Sequence, residues 1–586
     1  MRSGLIGAAA LLAGALSAAA QTPGPGPGGG FRPPLFDDPS DALRRATAAP
    51  DPDARAIGPR TEVRFTSQTP PPNADDIRFQ LNDLLIEGAT VYDRETLLDA
   101  AGDAVGREAS LTEVFAAAGA LQALYRDDGY LFTRVVVPAQ RIDGGVVRLE
   151  VIEAVLSTVA VEEPADPVGP VRALAERIVA PLDGLVNPTT QDIEEVLLRL
   201  NDIPGVTRAA AVPKLADGER GAVDLFINME RDPIDISAFV DNKQSPIIGD
   251  GLMGAVASVN SWSPFGDTTT LSGFMSAGFD DPFPADFRER WTVQAEHQTF
   301  IGASGLNLRL RALYSESRPG DIIAQFDVVS DQTEVEAFIW YPAHRARSLS
   351  LDLFAGFEVV EINSITPAPP TAAGVPDLVV DDRLNVLSFG IEGLQRDALG
   401  YTEGRLEVRR GFDILGTSMA GDQNISRADG AGEFWLVKGE VERTLPVTDG
   451  WTLWGKLWGQ YAERPLLASE EFSIGGAELG RAYFPSEYSG DIGAGAALEL
   501  RWNRNVSWRE FRAPVEVYGF GDLAEVRNLR TGQPVHAAVA SAGGGIRTQL
   551  PGSFALNLEA ARPLNRPLQY NGSDAWRFFF SATRAF

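Results

Sequence analysis

From Ile234 onward, apolar and polar residues alternate with period two in segments of about ten residues. Leu306-Asn307-Leu308-Arg309-Leu310-Arg311-Ala312, Trp451-Thr452-Leu453-Trp454-Gly455-Lys456-Leu457 and Leu498-Glu499-Leu500-Arg501-Trp502 carry the pattern clearly. Successive side chains of a strand point to opposite faces, so each segment has one charged face and one apolar or aromatic face. The pattern predicts strands near 234–241, 252–261, 268–279, 286–299, 305–315, 331–342, 347–361 and 383–396. Eight more follow near 402–412, 429–444, 451–463, 491–503, 513–526, 536–549, 553–562 and 575–585. The connections alternate in length. Residues 262–267, 342–346, 446–450 and 550–552 are tight, whereas 316–330, 362–382, 413–428 and 464–490 are long. A soluble sandwich also has one apolar face, but nothing in it imposes that parity. An even strand count with short turns on one side and long loops on the other predicts a 16-stranded antiparallel transmembrane β-barrel at 233–586. Its apolar face meets lipid and its polar face a wet lumen, with the short turns in the periplasm.

Before residue 233 the periodicity is mixed and occurs twice in the same order. In 60–153, a strand at 79–87 precedes helices at 94–101 and 110–125, then strands at 131–137 and 145–152. Ser110 with Glu113 forms a capping box, and Leu111, Val114, Phe115, Ala118, Leu121 and Leu124 supply the helix's core face. In 154–232, a strand at 155–161, helices at 168–179 and 190–200, and strands at 206–212 and 222–229 repeat the sequence of elements. The shared β-α-α-β-β order points to two tandem α+β domains made by duplication.

The first residues set the compartment. Arg2 precedes the apolar run from Leu5 to Leu16, and Ala18-Ala19-Ala20 stands before Gln21. A charged start, a short apolar stretch and a small-residue cleavage site predict a secretory signal peptide at 1–20. Residues 21–59 are a Pro/Gly-rich linker, interrupted by a candidate short helix at 37–49 with Ser40 as cap and Pro50 as stop. Composition narrows the function. The 586 residues carry 51 Lys+Arg against 80 Asp+Glu, a net charge of −29, which argues against nucleic acid as a partner. With no cysteine there are no disulfides, thiolate nucleophiles or cysteine metal sites. His297, His344 and His536 have no metal-ligand spacing, and no phosphate-binding loop or nucleophile elbow is present. The sequence therefore predicts a non-enzyme without cofactor or metal.

Several phrases carry a family resemblance. Tyr125-Arg126-Asp127-Asp128-Gly129-Tyr130 and Pro138-Ala139-Gln140 stand in the first α+β unit. Ser473-Ile474-Gly475-Gly476 leads into Gly480-Arg481-Ala482-Tyr483 in the long loop between the eleventh and twelfth strands, the sixth exterior loop. Phe520-Gly521-Asp522-Leu523-Ala524 lies in the thirteenth strand. Together with two α+β repeats feeding a 16-stranded barrel, these resemble the two-partner secretion transporters, whose repeats are POTRA domains. The family's loop phrase is Val-Arg-Gly-Tyr and its wall phrase Phe-x-Asp-x-Gly. Arg481, Tyr483 and Asp522 match, while Ala482 and Ala524 replace glycines and Gly480 replaces an apolar residue. The resemblance implies that Arg481 pairs with Asp522 and holds the loop inside the lumen. It also implies that the POTRA pair catches the secretion domain of one large exported partner protein, which crosses the barrel unfolded. The helix at 37–49 would then be a barrel plug, or else plain linker. Rival readings are a barrel assembly factor of the same superfamily and a passive porin with periplasmic docking modules. The chain's last residue, Phe586, with Trp576, Phe578, Phe580 and Ala582 alternating before it, resembles the signature by which the barrel assembly machinery recognises its substrates. Arg584 departs from its apolar expectation.

Overall fold

The computed structural model describes residues 68–162, 169–216, 220–278, 289–368, 376–508, 511–529 and 536–586. The expected leader at 1–20, the linker at 21–59 and its candidate helix at 37–49 lie outside the described residues.

The run at 79–87, expected as one strand, is two. β1 (Arg78–Leu81) stops at Asn82, and β2 (Asp83–Glu87) starts beyond it with a different partner. Asn82 turns the chain because its N–H donates to Gly145 O at 2.7 Å and its side-chain amide to Gly144 O at 2.8 Å. Both glycines have positive φ, and a Cβ on Gly145 would collide with Gln80 O. After α1 (Arg94–Ala101), β3 (Arg107–Ser110) pairs antiparallel with β1. Next come α2 (Leu111–Asp127), β4 (Arg134–Val136) and β5 (Val146–Ile152). β5 lies between β2, parallel to it, and β4, antiparallel. The Ser110/Glu113 capping box begins α2, and Val114, Ala118, Leu121 and Tyr125 are buried on its inner face. β4 is shorter than the expected 131–137 because the turn after Gly129 (φ +93°) runs on through Thr133. Beyond it, Gln140 acts as a strand in miniature: its side chain accepts from Arg148 N and donates to Arg148 O, both at 2.7 Å.

The second unit comprises β6 (Val155–Glu162), α3 (Arg172–Val179), α4 (Thr190–Asn201), β7 (Val206–Leu215) and β8 (Ala222–Arg231). Its sheet order β6-β8-β7, with β6 parallel to β8, repeats the β2-β5-β4 arrangement of the first unit. Two joints fix this unit. Towards the first unit, Phe132 enters its apolar core, Thr190 N donates to Gly129 O at 2.9 Å, and Glu153 accepts from Thr90 N, Tyr125 Oη and Asn187 Nδ2. Burial alone would raise the Glu153 pKa, but these donors outweigh it and hold the carboxyl below its usual range. Towards the barrel, Phe300 joins the same core, Ser261 Oγ donates to Pro204 O at 2.6 Å, and Arg345 and Arg347 pair with Asp202 (2.8 Å) and Glu194 (3.0 Å).

The barrel strands are β9 (Ile234–Asp241), β10 (Gly251–Asn260), β11 (Thr268–Ala277), β12 (Arg290–Phe300), β13 (Asn307–Ser317), β14 (Val329–Arg345), β15 (Leu349–Thr366) and β16 (Leu378–Asp397). They continue as β17 (Gly400–Gly411), β18 (Trp435–Thr448) and β19 (Trp451–Ala462). The loop after β19 carries a hairpin of its own, β20 (Phe472–Ile474) and β21 (Tyr488–Gly490). β22 (Ile492–Trp508), β23 (Phe511–Arg527), β24 (His536–Leu550), β25 (Phe554–Pro563) and β26 (Arg577–Ala585) complete the wall. Sixteen strands, each antiparallel to its neighbours, close through β26–β9. Two turns differ from expectation. β14 runs on to Arg345 and β18 to Thr448, through prolines read as turn residues. Bulges at Pro342/His344 and Pro446/Thr448 absorb the missing N–H groups and let the ladders continue. Outward faces expose Leu271, Val293, Leu310, Val335, Leu353, Leu457 and Leu558. Such an apolar belt belongs in lipid. Inward faces carry ion pairs instead, such as Arg311 with Glu334 and Glu336, and Arg409 with Glu358 and Glu407.

Candidate functional site

The loop between β19 and β22 folds back against the inner wall. Its β20–β21 hairpin brings Gly475 and Gly476 (φ +103° and +105°) beside Phe484 and Pro485, where a Cβ on Gly475 would collide with Phe484 O. Gly476 N donates to Tyr483 O at 3.2 Å and Tyr483 N to Gly480 O at 2.7 Å, making a tight turn of 480–483. The turn is packed on both sides: Ala482 and Tyr483 are buried, and a Cβ on Gly480 (φ +70°) would lie 3.0 Å from Val539 Cγ2. The left-handed residue is thus Gly480, while Ala482 keeps an ordinary φ. A methyl group at 482 is therefore compatible with the turn.

Arg481 is the charged tip of that turn and is 4% exposed. Nη1 donates to Glu499 Oε1 at 2.5 Å, Nε lies 3.4 Å from Asp522 Oδ2, and Nη1 lies 3.7 Å from Glu559 Oε2. The guanidinium sits 3.9 Å above the Phe520 ring. Phe520 and Asp522 are two residues apart on β23, so strand alternation places ring and carboxylate on one face. Asp522 is fully buried and receives Gly480 N at 2.9 Å and the Ser541 hydroxyl as well. The structure thus brings Arg481 and Asp522 within ion-pair reach, but the hydrogen bond of Arg481 goes to Glu499. Glu499 also takes Arg501 (2.7 Å) and Arg547 (3.1 Å).

Tyr483 points elsewhere. Its hydroxyl donates to Arg566 O at 2.8 Å and Asn565 Oδ1 at 3.0 Å in the connection between β25 and β26, and Arg577 Nη1 donates to Ala482 O at 2.9 Å. Arg481 therefore ties the loop to the wall and Tyr483 ties it to the last exterior connection. Glu499 and Glu559 were not singled out from sequence. Their signal was present only as polar positions of alternating segments, because the contact depends on loop and wall meeting across the lumen. Phe586 follows β26, is exposed, donates its N–H to Ile236 O at 3.0 Å and lies 4.5 Å under the Arg584 guanidinium. Arg584 also covers Phe554, at 5.0 Å, so the charge that departs from the apolar pattern rests on aromatic faces.

Comparisons with known proteins converge on this arrangement. Residues 79–154 match the model of the ShlB-type POTRA domain, and residues 378–548 match that of the haemolysin secretion/activation proteins ShlB/FhaC/HecB. The heme/hemopexin transporter protein HuxB of Haemophilus influenzae (strain 86-028NP) is 20% identical over 503 residues, covering 82% of each chain. The outer membrane transporter CdiB of Dickeya dadantii (strain 3937) is 22% identical over 403 residues, 67% of this chain and 65% of that one. The solved structure of CdiB from Escherichia coli shares the fold, with a TM-score of 0.68 at 18% identity over 93% of this chain and 96% of that one. One model covers the first α+β unit and the other spans the lumenal loop with the β22–β23 wall that receives it, and both describe the same kind of protein: the chain carries a ShlB-type POTRA unit and a barrel segment similar to the haemolysin secretion/activation proteins ShlB/FhaC/HecB, the pattern of a two-partner secretion transporter of the bacterial outer membrane.

Proposed function

We propose that this chain exports one large partner exoprotein through its barrel, with residues 60–153 and 154–232 serving as periplasmic receptor domains and 233–586 as the conduit. The observation that carries the reading is the sixth exterior loop, folded onto the inner wall with Arg481 among Glu499, Asp522 and Glu559. A conduit for an unfolded chain needs the loop's position controlled, and three carboxylates around one guanidinium define that position. On the periplasmic side, β7 is the outer strand of its sheet and has no further strand partner among the described residues. Its free edge suits addition of an extended segment from the partner's N-terminal secretion domain. The lipid-facing belt and the terminal Phe586 fit insertion into the outer membrane by the barrel assembly machinery.

The test compares secreted partner in the medium with correctly assembled transporter in the membrane. Arg481→Ala should abolish or strongly reduce secretion while the barrel still shows heat-modifiable migration in detergent. Normal secretion from that variant would remove Arg481 from the transport machinery. A folded fragment of residues 60–232 that fails to bind the partner's N-terminal domain would remove the receptor role.

A further inference from the structure

A second exterior loop also enters the barrel, and a single buried arginine joins it to its neighbours. The connection from β17 to β18 runs along the wall. Ser418 N donates to Arg383 O at 2.9 Å, Gly432 N to Ser418 O at 2.8 Å, and Ala431 N to Pro465 O of the sixth loop at 3.2 Å. Phe434, Leu466 and Leu467, from the two loops, pack on Val360, Ile362, Leu384 and Val386 of the exterior half of the wall, and all of these are buried. Beside this apolar plug lies Arg427, whose side chain is 0% exposed. Nη1 donates to Glu471 Oε1 at 2.5 Å and to Asp491 Oδ1 at 2.6 Å, and Nη2 reaches Asp491 Oδ2 at 3.3 Å. Asp491 also accepts Leu466 N at 2.8 Å and Leu529 N, beyond β23, at 2.7 Å. One guanidinium therefore gathers the fifth, sixth and seventh exterior connections.

We propose that Arg427 is the clasp of the outward opening: it holds the fifth and sixth exterior loops together across the exit, and the exported chain leaves when that clasp is released. The role as an exit clasp rests on the transport reading above; the closed state it describes does not. Glu471 and Asp491 are 1% and 0% exposed. Without the guanidinium, two buried carboxylates are left close together with their countercharge gone, and they separate and take up water. Both flank the sixth loop's hairpin and Arg427 lies in a loop, so the parts set free are loops rather than barrel ladders. A charge clasp differs here from apolar packing. Losing a methyl group loosens a core slightly, whereas losing this cation drives the loops apart.

Two arms test it. In Arg427→Met, single-channel conductance in planar bilayers should rise several-fold, and externally added protease should cut 413–434 on intact cells while heat-modifiable migration is retained. Arg427→Met combined with Glu471→Gln and Asp491→Asn, which removes the repulsion, should return conductance towards wild type. Wild-type conductance and protease resistance in assembled Arg427→Met would overturn the clasp. The second arm does not depend on that variant. The chain has no cysteine of its own, and Ala468 N lies 3.1 Å from Ser426 Oγ. Ser426→Cys with Ala468→Cys should therefore form a disulfide that joins the loops. Oxidised, it should block partner secretion, and reductant should restore it; unchanged secretion from the oxidised form would overturn the proposal. Conductance and protease readouts need no partner, so a failure of wild-type chain to secrete a partner would count against the transport reading alone.

Discussion

The two ends of the barrel are held by different physics. At the periplasmic end, the second α+β unit sits on the turns through a shared apolar core, with Phe300 buried among its residues, and through partly exposed pairs such as Arg347–Glu194. At the exterior end, loops are held by fully desolvated charges, Arg427 with Glu471 and Asp491, and Arg481 with Glu499 and Asp522. Apolar burial degrades gradually as atoms are removed, and an exposed ion pair contributes little. A buried charge network is closer to all-or-none, because deleting one member leaves the others unpaired in low dielectric. One end is built to stay in place. The other is built to be sensitive to a single group, which suits a part that must move.

Four experiments sharpen that contrast. The largest effect on secretion belongs to Arg481→Ala, which takes the cationic partner from buried Asp522, whereas Glu499 keeps Arg501 and Arg547. It should cost the lumenal loop's docking roughly 3–5 kcal/mol, measured as hydrogen exchange across 475–485 in the assembled barrel. Exchanging the charges, with Arg481→Asp and Asp522→Arg, should not rescue secretion, since the new aspartate faces Glu499; Arg481→Met with Asp522→Asn, which leaves Glu499 to Arg501 and Arg547, should restore loop protection better. At the other end, Phe300→Ala should cost about 3–5 kcal/mol of local stability, but as a gradual loosening, visible as faster exchange in α3 and β7 with secretion reduced in proportion. A secretion switch as sharp as that of Arg481 would erase the distinction between the two ends. Arg347→Ala should be smaller, at about 0–1 kcal/mol.

The joint between the α+β units gives the mildest effect. Because the folded-state pKa of Glu153 is depressed, its stabilisation is complete above the ordinary glutamate value of 4.5 and is lost as pH falls through the lower folded value. Acidification across that window should loosen the joint in wild type, read as exchange at Thr90 and Val91, and Glu153→Gln should flatten the response. An unchanged acid response in that variant would assign the effect to another group.

Much of the fold was legible because a barrel writes itself into sequence as period two. The alternation at 306–312 appears as inward Arg309 and Arg311 against outward Leu308 and Leu310, and the parity of loop lengths fixed which side each turn occupies. Where local chemistry overrode the period, the sequence misled. Asn82 split an apparent single strand by bonding to a distant glycine pair, and Pro342 and Pro446 read as turns but sit in bulges. The site was half legible. Arg481 and Asp522 were carried by the family phrases, and the structure adds that Phe520 forms the floor beneath the guanidinium. Glu499 and Glu559 could be seen only as polar positions of strands, because their meeting with Arg481 is a property of the closed barrel. Arg427 had no local signal at all: it is one charge in a loop, and its partners Glu471 and Asp491 belong to another loop that meets it only in the closed barrel.

Gln140 has a consequence for the company this protein keeps. In the periplasm, unpaired sheet edges meet a steady traffic of extended, unfolded chains on their way outward. Any edge that accepts them indiscriminately becomes a seed for aggregates. By bonding both backbone groups of Arg148, the Gln140 side chain fills the stretch of β5 that the short β4 leaves uncovered. One amide thus keeps that stretch of the first unit's sheet quiet, and a Gln140→Ala chain should be prone to stick to itself and to bystanders before any partner arrives.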